Sequence, residues 1–167
     1  LIRLDSLGNF VWTKTCREWY FCAKPTSDGG YIVAGGMVSS ELGGCDVYLV
    51  KTDSDGDTVW TRTYGGNDWD CGYSVLQTSD EGYIIGGETS SYGTGDGDVY
   101  FIRTDSNGDT IWTKTYDAGP AEERGIIQPT LDGGYIIAAD FSYIKTEAAG
   151  NMEWIRPYWI CVSASQT

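Results

Sequence analysis

Two short turns hold the densest chemistry in this chain. Asp53-Ser54-Asp55-Gly56-Asp57 and Asp105-Ser106-Asn107-Gly108-Asp109 each crowd several oxygen-bearing side chains into five residues. Hard cations take such donors, so Asp53, Asp55, Asp57, Asp105, Asn107 and Asp109 are candidate ligands for calcium, the one cofactor the sequence invites. The pattern is not an EF-hand, which needs a twelve-residue loop closed by a Glu. Two related turns also carry Leu7 and Ala149 where a ligand would stand. The competing reading is a plain hairpin turn, in which Asp and Ser begin the reversal and Gly takes a positive φ. A second acidic group, Asp68 and Asp70 with the loop 96–98, is open to the same two readings.

Aromatic residues offer a different chemistry. Trp19, Trp69 and Trp159 fall outside the repeated tryptophan position, and with Tyr20, Tyr92 and Tyr158 they offer aromatic faces that can meet a glycan. Their alternative role is to fill contacts between sheets. Catalysis finds little support. The chain has no histidine, which removes His-dependent triads and His-ligated zinc. Its five cysteines form no CxxC pair, so zinc and redox motifs are not indicated. They read as buried free thiols, or as one or two disulfides in a secreted protein. Glu122 and Glu123 sit on a polar stretch beside Pro120 and suggest a solvent-facing loop rather than a general acid–base pair. We therefore expect no enzyme. A net charge of −13 argues against a nucleic-acid partner, and no apolar run is long enough for a membrane-spanning helix.

The elements that must position these residues are visible as repeats. Residues 46–64 (DVYLVKTDSDGDTVWTRTY) return at 98–116 (DVYFIRTDSNGDTIWTKTY), identical at 13 of 19 positions. A third copy opens the chain at 1–15 and a diverged fourth lies at 143–156. Each is a β-hairpin around an Asp/Gly turn, followed by a tryptophan: Trp12, Trp60, Trp112 and Trp154. A ring at one fixed place per repeat is expected to anchor neighbouring sheets. Eight of the eleven Lys and Arg residues (Arg3/Lys14, Lys51/Arg62, Arg103/Lys114, Lys145/Arg156) also recur at fixed places. They are expected to pair with Asp across the same hairpin.

A second hairpin alternates with the first. Its turns carry Thr26 and Asp28, Thr78 and Asp80, Thr130 and Asp132, and each is followed by Gly-Tyr and a continuous apolar run. Such a run reads as a strand buried on both faces. The unit is thus four short strands in about 50 residues, a period characteristic of stacked or radial repeat architectures.

The text GGNDWDCGYSVLQTSDEGYIIGGETSS at 65–91, with the DVYLVKTDSDGDTVW type of hairpin after it, resembles the β-propeller repeats of secreted and surface proteins of bacteria and archaea. More loosely it is similar to quinoprotein-type blades, in which a Gly-x-x-x-Trp segment locks blades together. The resemblance implies an all-β fold: a β-propeller or propeller segment in one domain over 1–167. It would hold a half-blade at 1–15, blades at 19–63, 72–115 and 124–157, and an extra strand at 158–167, so that the two chain ends share a partial blade. With no strand to complete that blade, three arrangements stay open: a small ring, an arc completed by a second chain, or a piece of a larger ring. The start at Leu1 inside a repeat reads as a removed leader or a longer parent. The expected function is a non-catalytic, extracellular or cell-surface structural or interaction module, self-associating or adhesive. The alternatives are a glycan-binding propeller and an accessory domain of an extracellular hydrolase.

Overall fold

The computed structural model describes residues 1–15, 18–38, 44–94, 97–118, 124–140 and 142–157. They form fourteen strands in four antiparallel sheets, with no helix among the described residues. A two-stranded sheet joins β1 (Ile2–Leu4) to β2 (Phe10–Thr13). A four-stranded sheet follows: β3 (Trp19–Pro25), β4 (Tyr31–Val38), β5 (Cys45–Thr52) and β6 (Thr58–Tyr64). The middle sheet holds β7 (Asp70–Gln77), β8 (Tyr83–Thr89), β9 (Asp98–Thr104) and β10 (Thr110–Tyr116). The last holds β11 (Ile126–Pro129), β12 (Tyr135–Ala138), β13 (Ser142–Thr146) and β14 (Met152–Pro157). Each four-stranded sheet is a simple meander in chain order. The expected extra strand at 158–167 lies outside the described residues.

Turn chemistry sets the hairpins. In the β5–β6 turn the Asp53 N–H donates to Asp57 O at 2.9 Å and the Gly56 N–H to Asp53 O at 3.2 Å. Gly56 has φ +78°, and the β5–β6 register shifts by one residue beside the turn. This is a tight turn closed by a glycine in the left-handed region, whose twist suits a hairpin. Gly8, Gly108 and Gly150 repeat it at φ +82°, +80° and +76°. The other turns place Gly29, Glu81 and Gly133 in the same region.

Apolar side chains on both faces of the strands make the sheets stack. Ile85 and Ile102 of the middle sheet face a core with Ile32, Val47 and Leu49 of the preceding sheet. Their neighbours Ile84 and Phe101 face the opposite way, onto Ile127, Ile137 and Ile144 of the last sheet. Alternation with period two therefore feeds two cores from one sheet. Every residue of β8 and β9 is buried in consequence, whereas β12 is only half-buried apart from Ile137. Within each four-stranded sheet the meander puts the first and third turns at the same end.

Candidate interface site

A tryptophan latch recurs at each junction between consecutive sheets. The Trp12 ring of β2 lies over Gly56 in the next sheet's turn, so close that a Cβ there would fall 2.7 Å from it. Trp60 occupies the same place over Gly108, and Trp112 over Gly150. Only glycine leaves room for the ring, and its positive φ suits the turn as well. Trp12 also meets Tyr31 edge-on at 5.8 Å, and Trp60 meets Tyr83 at 5.8 Å. At the third junction Phe101 lies between Trp112, at 5.3 Å, and Tyr135, at 5.5 Å. Beside two of these contacts a buried hydroxyl crosses the junction: Tyr64 donates to Gly108 O at 2.7 Å, and Tyr116 to Gly150 O. Burial raises both phenol pKa values, so they remain neutral donors.

The basic residue two positions after each tryptophan completes the latch. Lys14 Nζ donates to Asp57 at 2.6 Å, Arg62 Nε lies 3.4 Å from Asp109, and Lys114 Nζ donates to Asn151 Oδ1 at 3.0 Å. The hydrogen bond to Asp57 raises the Lys14 pKa. This corrects the expectation of pairing across one hairpin: these cations reach the following sheet.

The second set of basic residues departs from expectation in another way. Lys51, Arg103 and Lys145 are buried, and pair with Asp28, Asp80 and Asp132 in the first turn of their own sheet, at 2.8, 2.6 and 3.0 Å. Lys51 Nζ also donates to Thr52 O at 2.8 Å, and Lys145 Nζ to Thr146 O at 2.9 Å. Gly30 has no room for a side chain here: a Cβ would sit 2.7 Å from the Lys51 ammonium and 2.1 Å from Thr52 O. The Lys51 hydrogen bond, then that of the Thr26 hydroxyl, lowers the Asp28 pKa to about 2. Thr78 and Arg103 lower that of Asp80, and Thr130 and Lys145 that of Asp132. The signal in the sequence was the Thr-x-Asp turn recurring in step with a basic residue on the third strand.

The candidate calcium ligands serve these turns. Asp53 Oδ1 accepts the N–H groups of Asp55 at 3.0 Å and Asp57 at 2.9 Å. Asp105 Oδ1 accepts those of Asn107 and Asp109, both at 2.9 Å. Asp57 and Asp109 receive the latch cations, and the side chains of Asp55 and Asn107 are exposed. Among the described residues no cluster of three or more His, Cys, Asp or Glu is arranged to hold a metal.

The aromatic candidates gather at the opposite end. Trp19 and Trp69 lie 5.6 Å apart with rings tilted by 40°. Trp69 Nε1 and the Tyr73 hydroxyl both donate to the buried Glu88 Oε1, at 2.7 and 2.8 Å. Tyr92 packs on Tyr100 at 5.6 Å and donates to Gly65 O at 2.6 Å. Trp159 lies outside the described residues, as do Tyr158, Glu122, Glu123, Cys16 and Cys161. Nearby, Asp70 is fully buried and accepts from Ser91 Oγ at 2.6 Å and Gly66 N–H at 2.8 Å. Burial raises the pKa of Asp46, and the charge of Asp70 adds to it. Cys45 and Cys71 are buried free thiols, and burial pushes Cys71 up to about 12. Such thiols are unreactive.

Among the described residues the first and last sheets each have a sheet against one face only. Among the described residues nothing lies within 4 Å of a Cβ built on Gly8, although its turn matches those that seat a tryptophan. At the other end all of β14 is exposed, including Trp154. A groove of about 780 Å³ lies between the β1–β2 hairpin and the face of the β3–β6 sheet, lined by Leu1, Lys14, Tyr20, Val33, Tyr48 and Val50.

No protein-family model matches the chain, and no curated protein matches it. Among solved structures it is similar to a protein of unknown function from Bacteroides caccae, with a TM-score of 0.64 at 10% identity. The match covers 92% of this chain and 52% of that one, so the chain spans about half of that protein's length. At this identity the likeness speaks for the fold alone.

Proposed function

We propose that this chain is a segment of a β-propeller, three blades and a half-blade, that acts as a non-catalytic structural or interaction module of an extracellular or cell-surface protein. Its partners are other copies or other surface proteins. The observation that carries the reading is the latch itself. Three junctions use one set of contacts, each seating a tryptophan on a turn glycine of the next sheet, and β14 is an exposed strand. Unfilled sheet faces and strand edges favour association. The repeated residues are spent on turns and junctions, and the buried carboxylates on hydrogen bonds, which supports a structural role over catalysis. The test is the native mass across a range of concentrations. Reversible association is expected, and a strictly monomeric folded chain would count against the reading.

A second reading, glycan binding, draws on the partly exposed Trp19–Trp69 pair. Saturable binding on a glycan array that is lost in Trp69→Ala would favour it over assembly. Because Trp69 also holds Glu88, that variant needs a circular dichroism spectrum matching the parent chain.

A further inference from the structure

Cys45 and Cys71 belong to different sheets and meet between them. Cys45 opens β5 of the first four-stranded sheet, and Cys71 lies on β7 of the middle one. Both are fully buried. A Cβ built on Gly36 would fall 2.6 Å from Cys45 Sγ and 2.8 Å from Cys71 Sγ. The two sulfurs therefore border one small space, which the lack of a side chain at Gly36 leaves free. They also hydrogen-bond to one another. Two cysteines can be bridged only where their side chains point together, and these meet that condition.

The surroundings decide among the uses of such a pair. Nucleophilic and metal-binding roles need thiolates. Burial acts first against a thiolate at Cys45, and the charges of Asp46, Asp70 and Glu88 add to it. Burial is also the main cause at Cys71. Among the described residues no third His, Cys, Asp or Glu joins the two sulfurs in a metal-holding cluster. A disulfide carries no charge and suits the same buried space.

We propose that Cys45 and Cys71 form a disulfide that staples the first four-stranded sheet to the middle one. The inference goes beyond the interaction reading and does not depend on it. The oxidant is a small-molecule disulfide. The thiolate of one cysteine attacks it, forms a mixed disulfide and releases one small thiol. The thiolate of the other cysteine then attacks the protein sulfur of that mixed disulfide, closes the Cys45–Cys71 bond and releases the second small thiol. Two protein thiols give up two protons and two electrons, and the small disulfide takes them. The exchange precedes closure of the sheets, because in the folded chain Cys71 is pushed up to about 12 and both sulfurs are sealed from reagents. The same seal protects the bond once it is made. Such a bond belongs to oxidising surroundings. It complements the tryptophan latch: Trp60 holds this junction beside the turns, and the bond holds it at the other end of β5. Gly97 stands where Cys45 stands one repeat earlier, so the next junction relies on its latch without a matching pair.

The whole chain is refolded in a glutathione redox buffer, alkylated in urea and mapped by mass spectrometry without reduction. The parent chain is compared with Cys45→Ala, Cys71→Ala and Cys22→Ala. Linked peptides carrying Cys45 and Cys71 are expected in the parent chain and in Cys22→Ala, and in neither of the other variants. Cys22 shares its tryptic peptide with Cys45, and its variant tells the two apart. Urea unfolding of the parent chain, oxidised against reduced, needs no substitution. The bond should lower the unfolding equilibrium constant about a hundredfold. Oxidised glutathione given to the folded, reduced chain should link it at least about tenfold more slowly than during refolding. Cys45 and Cys71 alkylated in full, or linked to other cysteines, would overturn the disulfide. Equal stability of the oxidised and reduced chains would overturn its stapling role, and equal rates of linking would overturn the order of events. Each of these results leaves the interaction reading standing, since that reading is tested by native mass.

Discussion

The hairpins β1–β2 and β9–β10 are written in closely related text and live in different surroundings. Leu1-Ile2-Arg3-Leu4 corresponds to Phe101-Ile102-Arg103-Thr104, yet Ile2 is 66% exposed and Ile102 is fully buried. Arg103 is buried against Asp80, whereas Arg3 reaches the Ser54 carbonyl of the next sheet at 2.7 Å. The difference is supplied by neighbours. β9 has β8 beside it and a sheet against each face, while among the described residues β1 has only β2 beside it. The same pattern of residues therefore yields a core strand in one place and an exposed edge in another. Burying a side chain such as Ile2 is worth about 1.5–3 kcal/mol, which is the size of the difference a neighbouring strand makes.

The largest expected effect comes from one substitution made at both ends of this comparison. Trp60→Ala empties a filled junction and should cost about 3 kcal/mol of folding stability. Trp154→Ala, on an exposed strand, should cost less than about 1 kcal/mol when the chain is dilute. Urea unfolding of the two variants separates the cases, and equal losses would erase the contrast.

A glycine pair sharpens it further. Gly108→Ala would add a Cβ 2.8 Å from the Arg62 side chain and 3.0 Å from the Trp60 ring, at a positive φ. We expect a loss of about 2 kcal/mol there, and of about 1 kcal/mol in Gly8→Ala, where only the backbone strain acts. The shift in thermal midpoint gives the ranking.

Glu81 marks strain inside the best-buried sheet. It holds φ +66° where its counterparts are Gly29 and Gly133. Glu81→Gly should relieve that strain and stabilise the chain by roughly 0.5–1 kcal/mol, read from the same melts. No gain would mean that the turn accommodates Glu without cost.

Acid response is the smallest effect, and it isolates the Thr-x-Asp turn of the complete sheets. Asp28 has a folded pKa lowered to about 2 from 3.8. Its contribution is therefore present above about pH 3.8 and lost as the pH falls through about 2. Asp28→Asn should flatten the stability profile in that window by under about 1 kcal/mol, because the carboxylate is well exposed and screened. β1–β2 has no such turn, so Arg3→Met should leave the same window unchanged. Chelation offers a further check. With the turn carboxylates already engaged, the melting temperature should not move on adding a chelator, and a fall would reveal a bound ion.

Much of this architecture was legible in the sequence because it is local. A turn such as 53–57 declares itself through Asp and Gly, and the run Tyr83-Ile84-Ile85 through its lack of polar residues. The recurring tryptophan was likewise readable as an anchor, because one large ring at a constant offset has few other uses. Partner choice was not legible. Lys51 stands two residues from Asp53 in the chain, yet it pairs with Asp28 in the β3–β4 turn, and Lys14 reaches 43 residues ahead to Asp57. Those choices follow from the side of the pleat each residue faces and from which sheet arrives there, and neither is encoded by spacing within a hairpin. The Asp-rich turns read as a metal site for the same reason: the cations and N–H groups they serve come from elsewhere in the fold or from the backbone. Trp69 gives a parallel case, its indole N–H being held by Glu88 at a distance of 19 residues.

Hydrogen exchange across residues 2–13, followed as a function of protein concentration, bears most directly on the central claim that neighbours supply the burial this sequence calls for. The account predicts that β1 and β2 exchange quickly in dilute protein and become protected as concentration rises, moving toward the protection of β5 and β6. Protection at 2–13 that does not change with concentration, while the rest of the chain stays folded, would contradict it.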